Sequence, residues 1–146
     1  MENQIENDTF TFSKTCEVYG LDKKWFLAHP EIMEMKKTDE LELMKESGAL
    51  VIQAHPYRKA AYIDHIRLYP HCVHGVEIIN TARTDFDNEM AAHYAKQYGL
   101  LEFAGSDTHS DDRNRKFAGM CSERPISSEE DFIKAVKNKE LKIFCE

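Results

Sequence analysis

Asp107 and His109 stand two residues apart in the stretch Ala-Gly-Ser-Asp-Thr-His-Ser at 104–110, directly after the apolar residues Leu100, Leu101, Phe103 and Ala104. In an extended chain, side chains at i and i+2 point to the same side. A carboxylate and an imidazole therefore converge at the end of a strand, and both donors suit zinc and first-row metals. Asp-x-His in a Ser/Asp-rich loop also serves as plain turn chemistry. A second segment bears on that choice. In Gly48-Ala-Leu-Val-Ile-Gln-Ala-His-Pro-Tyr-Arg58, a short apolar run with β-branched members leads to His55, and Pro56 closes the strand. His55 alone could be a histidine hydrogen-bonded in a polar loop. The same geometry occurring twice favours a site, because active sites of βα architectures assemble at the C-terminal ends of strands.

Other polar residues lie near the same strand ends. Arg58, just past His55-Pro56, is a bidentate phosphate partner or a surface salt bridge. Asn80 falls at the end of an apolar run and would order the site by hydrogen bonding, whereas Glu77 reads as structural. Arg113 and Arg115 belong to a polar loop that reaches a substrate phosphate or, more simply, faces solvent. His71 and His74 flank the start of strand 75–79, the wrong end for a site. His29, His65 and His93 have no partner at ligand spacing, and Cys72 between His71 and His74 is at most an adventitious ligand.

These residues require strands and helices in alternation. Residues 10–19 read as one strand, and 23–35 as a helix interrupted at His29-Pro30. Thr38 is expected to cap a helix that runs to Ser47 and stops at Gly48, with Leu41 and Met44 facing the core and Leu43 a further candidate. Strand 49–54 follows, then a short helix at 59–69, strand 75–79 and a longer helix at 85–98. Phe86, Met90, Ala91, Tyr94, Ala95 and Tyr98 share one face of that helix. Strand 100–104 leads into the Asp-x-His loop. Ser127 or Ser128 with Glu130 or Asp131 predicts a capping box for helix 128–139, and 141–144 a last strand. This alternation implies an α/β fold with a mainly parallel sheet.

Composition bounds the function. A chain of 146 residues is expected to form one domain, with 1–9 a flexible lead. Its net charge of −7 argues against nucleic acid, which needs a basic surface. No apolar run approaches the ~18 residues that span a membrane. The acidic N-terminus lacks the form of a signal peptide. The four cysteines form no Cys-x-x-Cys, so free thiols and a cytoplasmic location are expected.

Ala54-His55-Pro56 and Gly105-Ser106-Asp107-x-His109, taken in order, resemble the PHP family, named for polymerase and histidinol phosphatase. Val76-Glu77-Ile78-Ile79-Asn80 looks like that family's intervening strand, and Asn88-Glu89-Met90-Ala91 with Tyr94-Ala95 like the helix after it. Val18-Tyr19-Gly20-Leu21 through His29-Pro30-Glu31 also fits, so the likeness runs from about Glu17 to the end. The family's opening His-x-His has no counterpart, since the first histidine is His29. The resemblance therefore implies a partial PHP-type (β/α)7 barrel without its N-terminal strands. It implies a metal-dependent phosphoesterase with His55, Asp107 and His109 as metal ligands and catalytic residues, and zinc, manganese or iron as the divalent metal. The substrate would be a phosphorylated small molecule, met by Arg58 and Asn80. The missing ligands leave three alternatives open: catalysis incomplete in this chain, a non-catalytic remnant acting as a binding or oligomerisation module, or a plain α/β domain in which the Asp and His residues only satisfy loops. A barrel cut in half leaves open sheet edges, so a homo-oligomer is expected.

Overall fold

The computed structural model describes residues 10–13, 16–108 and 116–146. A five-stranded sheet carries the site. Its strands are β1 (Phe10–Ser13), β2 (Cys16–Tyr19), β3 (Leu50–Gln53), β4 (Gly75–Asn80) and β5 (Leu101–Gly105), in that spatial order. β3, β4 and β5 are parallel neighbours, whereas β2 is antiparallel to both β1 and β3. Four strands thus point one way and β2 points back. The sheet does not close into a barrel. A second, two-stranded antiparallel sheet pairs β6 (Ala118–Ser122) with β7 (Leu141–Cys145).

Helices α1 (Lys23–Ala28), α2 (Lys37–Glu46), α3 (Asp85–Tyr98) and α4 (Glu129–Lys137) surround the sheet, with a 3-10 turn at Pro30–Met33. Alternation along the strands divides the core in two. Cys16, Val18 and Val51 face one way and pack with Leu41 and Met44 of α2, while Val76 meets Tyr94 and Ala95 of α3. Leu50, Ile52 and Phe103 face the other way, against Phe132, Ile133 and Val136 of α4 and Met120 and Leu141 of the small sheet. Gly75 lets this happen, because a Cβ there would collide with the Phe103 ring. That face of the sheet is therefore covered by the chain's own residues 118–145.

Several elements depart from the sequence reading. The expected strand 10–19 is two strands, since the chain reverses between the paired residues Ser13 and Cys16. α2 begins one residue before Thr38, whose side chain does not cap it; Lys36 holds the cap position. No helix forms at 59–69: a tight turn bonds Ile63 N–H to Ala60, and the Arg67 carbonyl is taken by the Gln53 side chain. Phe86 and Tyr98, placed on the core face of α3, are 59% and 44% exposed. β6 is an addition; its mixed Ala-Gly-Met-Cys-Ser carries no alternation. α3 itself runs over 85–98 as expected, capped by Thr84 and ended by left-handed Gly99. Ser128 caps α4 and bonds the Asp131 N–H, but α4 stops at Lys137.

Candidate functional site

β3 delivers His55 to the C-terminal end of the sheet, β4 delivers Asn80, and β5 delivers Asp107. His55 has φ +28° and Asp107 φ +48°. Neither is glycine, so both occupy a backbone region that costs energy and collects at functional sites. Pro56 after His55 and the close of the β5 ladder at Gly105 force the chain to turn at both points.

Asn80 and Glu77 tie the three strand ends together. The Asn80 Nδ2 donates to Glu77 Oε2 at 3.0 Å and to Asp107 Oδ2 at 3.4 Å. The His55 backbone N–H donates to the same Glu77 oxygen at 2.8 Å. Asn80 is itself held on every side: Oδ1 accepts from Ala82 N–H at 2.9 Å, and Asn88 pairs with its backbone N–H and carbonyl. Gly105 leaves room for the carboxylate, since a Cβ there would lie 2.7 Å from Glu77 Oε1.

Electrostatics separates the groups. Burial pushes the Glu77 carboxyl up to about 7, and the nearby carboxylates of Glu17 and Asp107 push it the same way against its two hydrogen bonds. Burial lowers the His55 imidazole below the usual histidine value; Asp107 opposes this, and the Arg58 and Arg83 guanidiniums reinforce it. A neutral imidazole beside a carboxylate is the donor form a metal requires. On the α4 side of the sheet, Glu17, Tyr19 and Glu77 line a cavity of about 100 Å³, with the Tyr19 hydroxyl donating to Glu17 Oε2 at 3.0 Å.

His55, Asp107 and Asn80 thus meet around Glu77. His109, Arg113 and Arg115 lie outside the described residues. Arg58 lines a cavity with His55, its guanidinium 5.8 Å from the Tyr62 ring centre. His74 is structural: its Nδ1 accepts the Val51 N–H. His29 stacks on Trp25, and His93 sits on the surface of α3 near Glu89. Cys72 is buried and its thiol is pushed up by that burial, the opposite of a ready metal ligand. Glu77, read from sequence as structural, accepts from the His55 N–H and from Asn80. Glu17 and Arg83, not singled out in the sequence, act electrostatically on Glu77 and His55.

The donor types of His55 and Asp107 fit a divalent cation. Among the described residues no group of three or more His, Cys, Asp or Glu side chains is placed to hold a metal ion. Among the described residues no helix is long and apolar enough to cross a membrane.

No family model matches the sequence, and no curated protein does. A solved structure does match in fold. It is a two-domain Bacteroides vulgatus protein containing a predicted PHP-like metal-dependent phosphoesterase, with a TM-score of 0.60 and 16% sequence identity. The match covers 88% of this chain and 40% of that one. The likeness is one of fold. This chain spans about two fifths of that protein's length.

Proposed function

We propose that the chain is a PHP-type metal-dependent phosphoesterase domain, an open part of the family's (β/α)7 barrel, acting on a phosphorylated small molecule. The observation that carries this reading is the convergence of His55 and Asp107, each on left-handed backbone at the end of a parallel strand, around the Asn80–Glu77 pair. His55 and Asp107, with His109 as the third donor of the motif, would hold a divalent ion. The chemistry supplied by zinc, manganese or iron held there is Lewis-acid polarisation of a phosphoryl oxygen and acidification of a water. The chain's own residues do the positioning. Asn80 fixes the Asp107 carboxylate through Nδ2, and Glu77 fixes the His55 backbone. Glu77 is placed to hold a proton next to the reacting centre.

The sequence holds no His-x-His of the kind that opens the family's metal site, which favours a second reading: a non-catalytic binding module of the same ancestry, in a homo-oligomer. One experiment separates the two. The purified chain is stripped of metal, reloaded with zinc, manganese or ferrous iron, and assayed on p-nitrophenyl phosphate. Catalysis predicts metal-dependent turnover that falls about 100-fold or more in His55→Ala and Asp107→Asn. No turnover with any of the three metals leaves the binding module as the function.

A further inference from the structure

The seam between β3 and β4 ends in a side chain. β3 meets β4 at two register pairs, Ile52–Gly75 and Gln53–Val76. One step before them, the Val51 carbonyl accepts the His74 backbone N–H at 2.9 Å, and the Val51 N–H donates to Nδ1 of the His74 ring at 3.1 Å. Both backbone groups of a fully buried residue are thus held by one histidine. β4 starts at Gly75, and the ring takes the place of a ladder carbonyl opposite the Val51 N–H. A buried N–H without such an acceptor is costly.

This bond has one requirement. Nδ1 accepts only when it carries no proton, so His74 is the neutral tautomer with its hydrogen on Nε2. A ring protonated at both nitrogens would set N–H against N–H. The charged groups that act on the ring come from helices on opposite faces of the sheet: Lys45 of α2 and Lys137 of α4, both cations. β5 meets His74 through backbone, with the Leu101 N–H on the His74 carbonyl at 3.0 Å. Burial and the two lysines lower the ring below the usual 6.5; the Val51 backbone pulls the other way and is outweighed. The unfolded chain therefore takes the proton first. The stability held by the neutral ring is complete above about 6.5 and is lost as pH falls from there through the lower folded value.

We propose that His74 is an acid-sensitive clasp on the β3–β4 seam: the neutral ring extends the ladder to Val51, and the protonated ring releases it. The seam matters because its two strands carry His55 on one side and Glu77 and Asn80 on the other. At the site end it is closed by Glu77, which accepts the His55 N–H at 2.8 Å. A carboxyl keeps an acceptor oxygen in either protonation state, so that bond survives acidification. Acid thus loosens the seam from the end opposite the site. The clasp stands whether or not the chain is catalytic.

The test is an NMR titration of the full-length chain from about pH 8 to about pH 4, following the His74 ring protons and the Val51 amide. The ring titrates below 6.5, and the Val51 amide shift moves with the same midpoint. Exchange protection of the Val51 amide, corrected for the intrinsic pH dependence of exchange, falls about tenfold or more across that midpoint, while the Ala95 amide in α3 keeps its protection. His74→Asn offers an amide oxygen that accepts and does not titrate, and its Val51 protection stays level with pH. A ring that titrates at or above 6.5, or not at all in this range, overturns the clasp. So does a Val51 amide that ignores the ring's titration, or the same acid loss in His74→Asn. The titration of the parent chain decides the point alone if that variant does not fold.

Discussion

At Glu77 two hydrogen bonds and burial pull the carboxyl in opposite directions, and burial prevails. The folded group titrates at about 7 against an ordinary 4.5. A raised carboxylic pKa means that the folded state holds the proton longer than the unfolded chain. The protonated group's contribution is complete below the unfolded value and is lost as pH rises through about 7. Stability therefore falls by about 3 kcal/mol at most between those pH values from this group alone. Glu77→Gln keeps an acceptor for the Asn80 and His55 donors and removes the ionisation. Denaturant titrations at pH 5 and pH 8 should show a flatter pH dependence and a more stable variant at pH 8. An unchanged slope would place the burial penalty elsewhere. That His55, Asp107 and Asn80 stand at strand ends was legible in sequence because each comes at the close of an apolar run. The bonds of Glu77 were not, because they depend on which face of β4 meets Gly105 and the His55 N–H. Glu17 needed the direction of β2, and Arg83 the fold of a turn with no pattern of its own.

Between elements, Gln53 holds the long β3–β4 crossover in place of a helix. Its buried side chain donates to the Arg67 carbonyl at 2.7 Å and accepts from the Tyr94 hydroxyl at 3.0 Å. The Tyr69 N–H approaches the same oxygen at 3.4 Å. Sheet, α3 and crossover thus share one amide. Gln53→Leu fills the volume and strands the carbonyl and hydroxyl. A loss of about 2–4 kcal/mol is expected in urea denaturation, since each unsatisfied buried group costs about 1–3 kcal/mol. Limited proteolysis should also find the 54–74 segment more open in the variant. A variant as stable and as resistant as the parent would show that the crossover is held by Tyr57 and Leu68 packing on α3 instead. Sequence periodicity and the Gly99 stop located α3, and Ala91, Tyr94 and Ala95 of its expected core face are buried, whereas Phe86 and Tyr98 at its ends are exposed. At 59–69 the apolar residues invited a helix, but the bonds that decide the segment come from Gln53, outside it.

For the whole molecule, alternating strands and helices were enough to read an α/β fold, but not the direction of β2 or the placement of residues 118–145. Both follow from packing between distant segments: the Tyr19 and Phe132 rings meet at a tilt with centres 5.1 Å apart, and the Gly20 N–H donates to Glu129 at 2.7 Å. α4 and the small sheet cover the face that carries Leu50, Ile52 and Phe103, so a second copy is not needed there. What stays open is narrower. Among the described residues β5 pairs with β4 alone, and between its outer edge and the small sheet runs a groove of about 420 Å³ lined by Leu101, Phe103, Met120, Leu141 and Ile143. Unpaired edges next to apolar surface invite another chain. The homo-oligomer proposed above would therefore form at the β5 edge, most simply as a twofold dimer. Light scattering at micromolar concentration should give twice the 17.0 kDa chain mass. Ile143→Asp, on the half-buried groove wall, should shift that mass to the monomer while the circular dichroism spectrum is retained. A monodisperse 17.0 kDa species for the parent chain would rule out the dimer and leave β5 as a tolerated edge, guarded by its exposed Glu102.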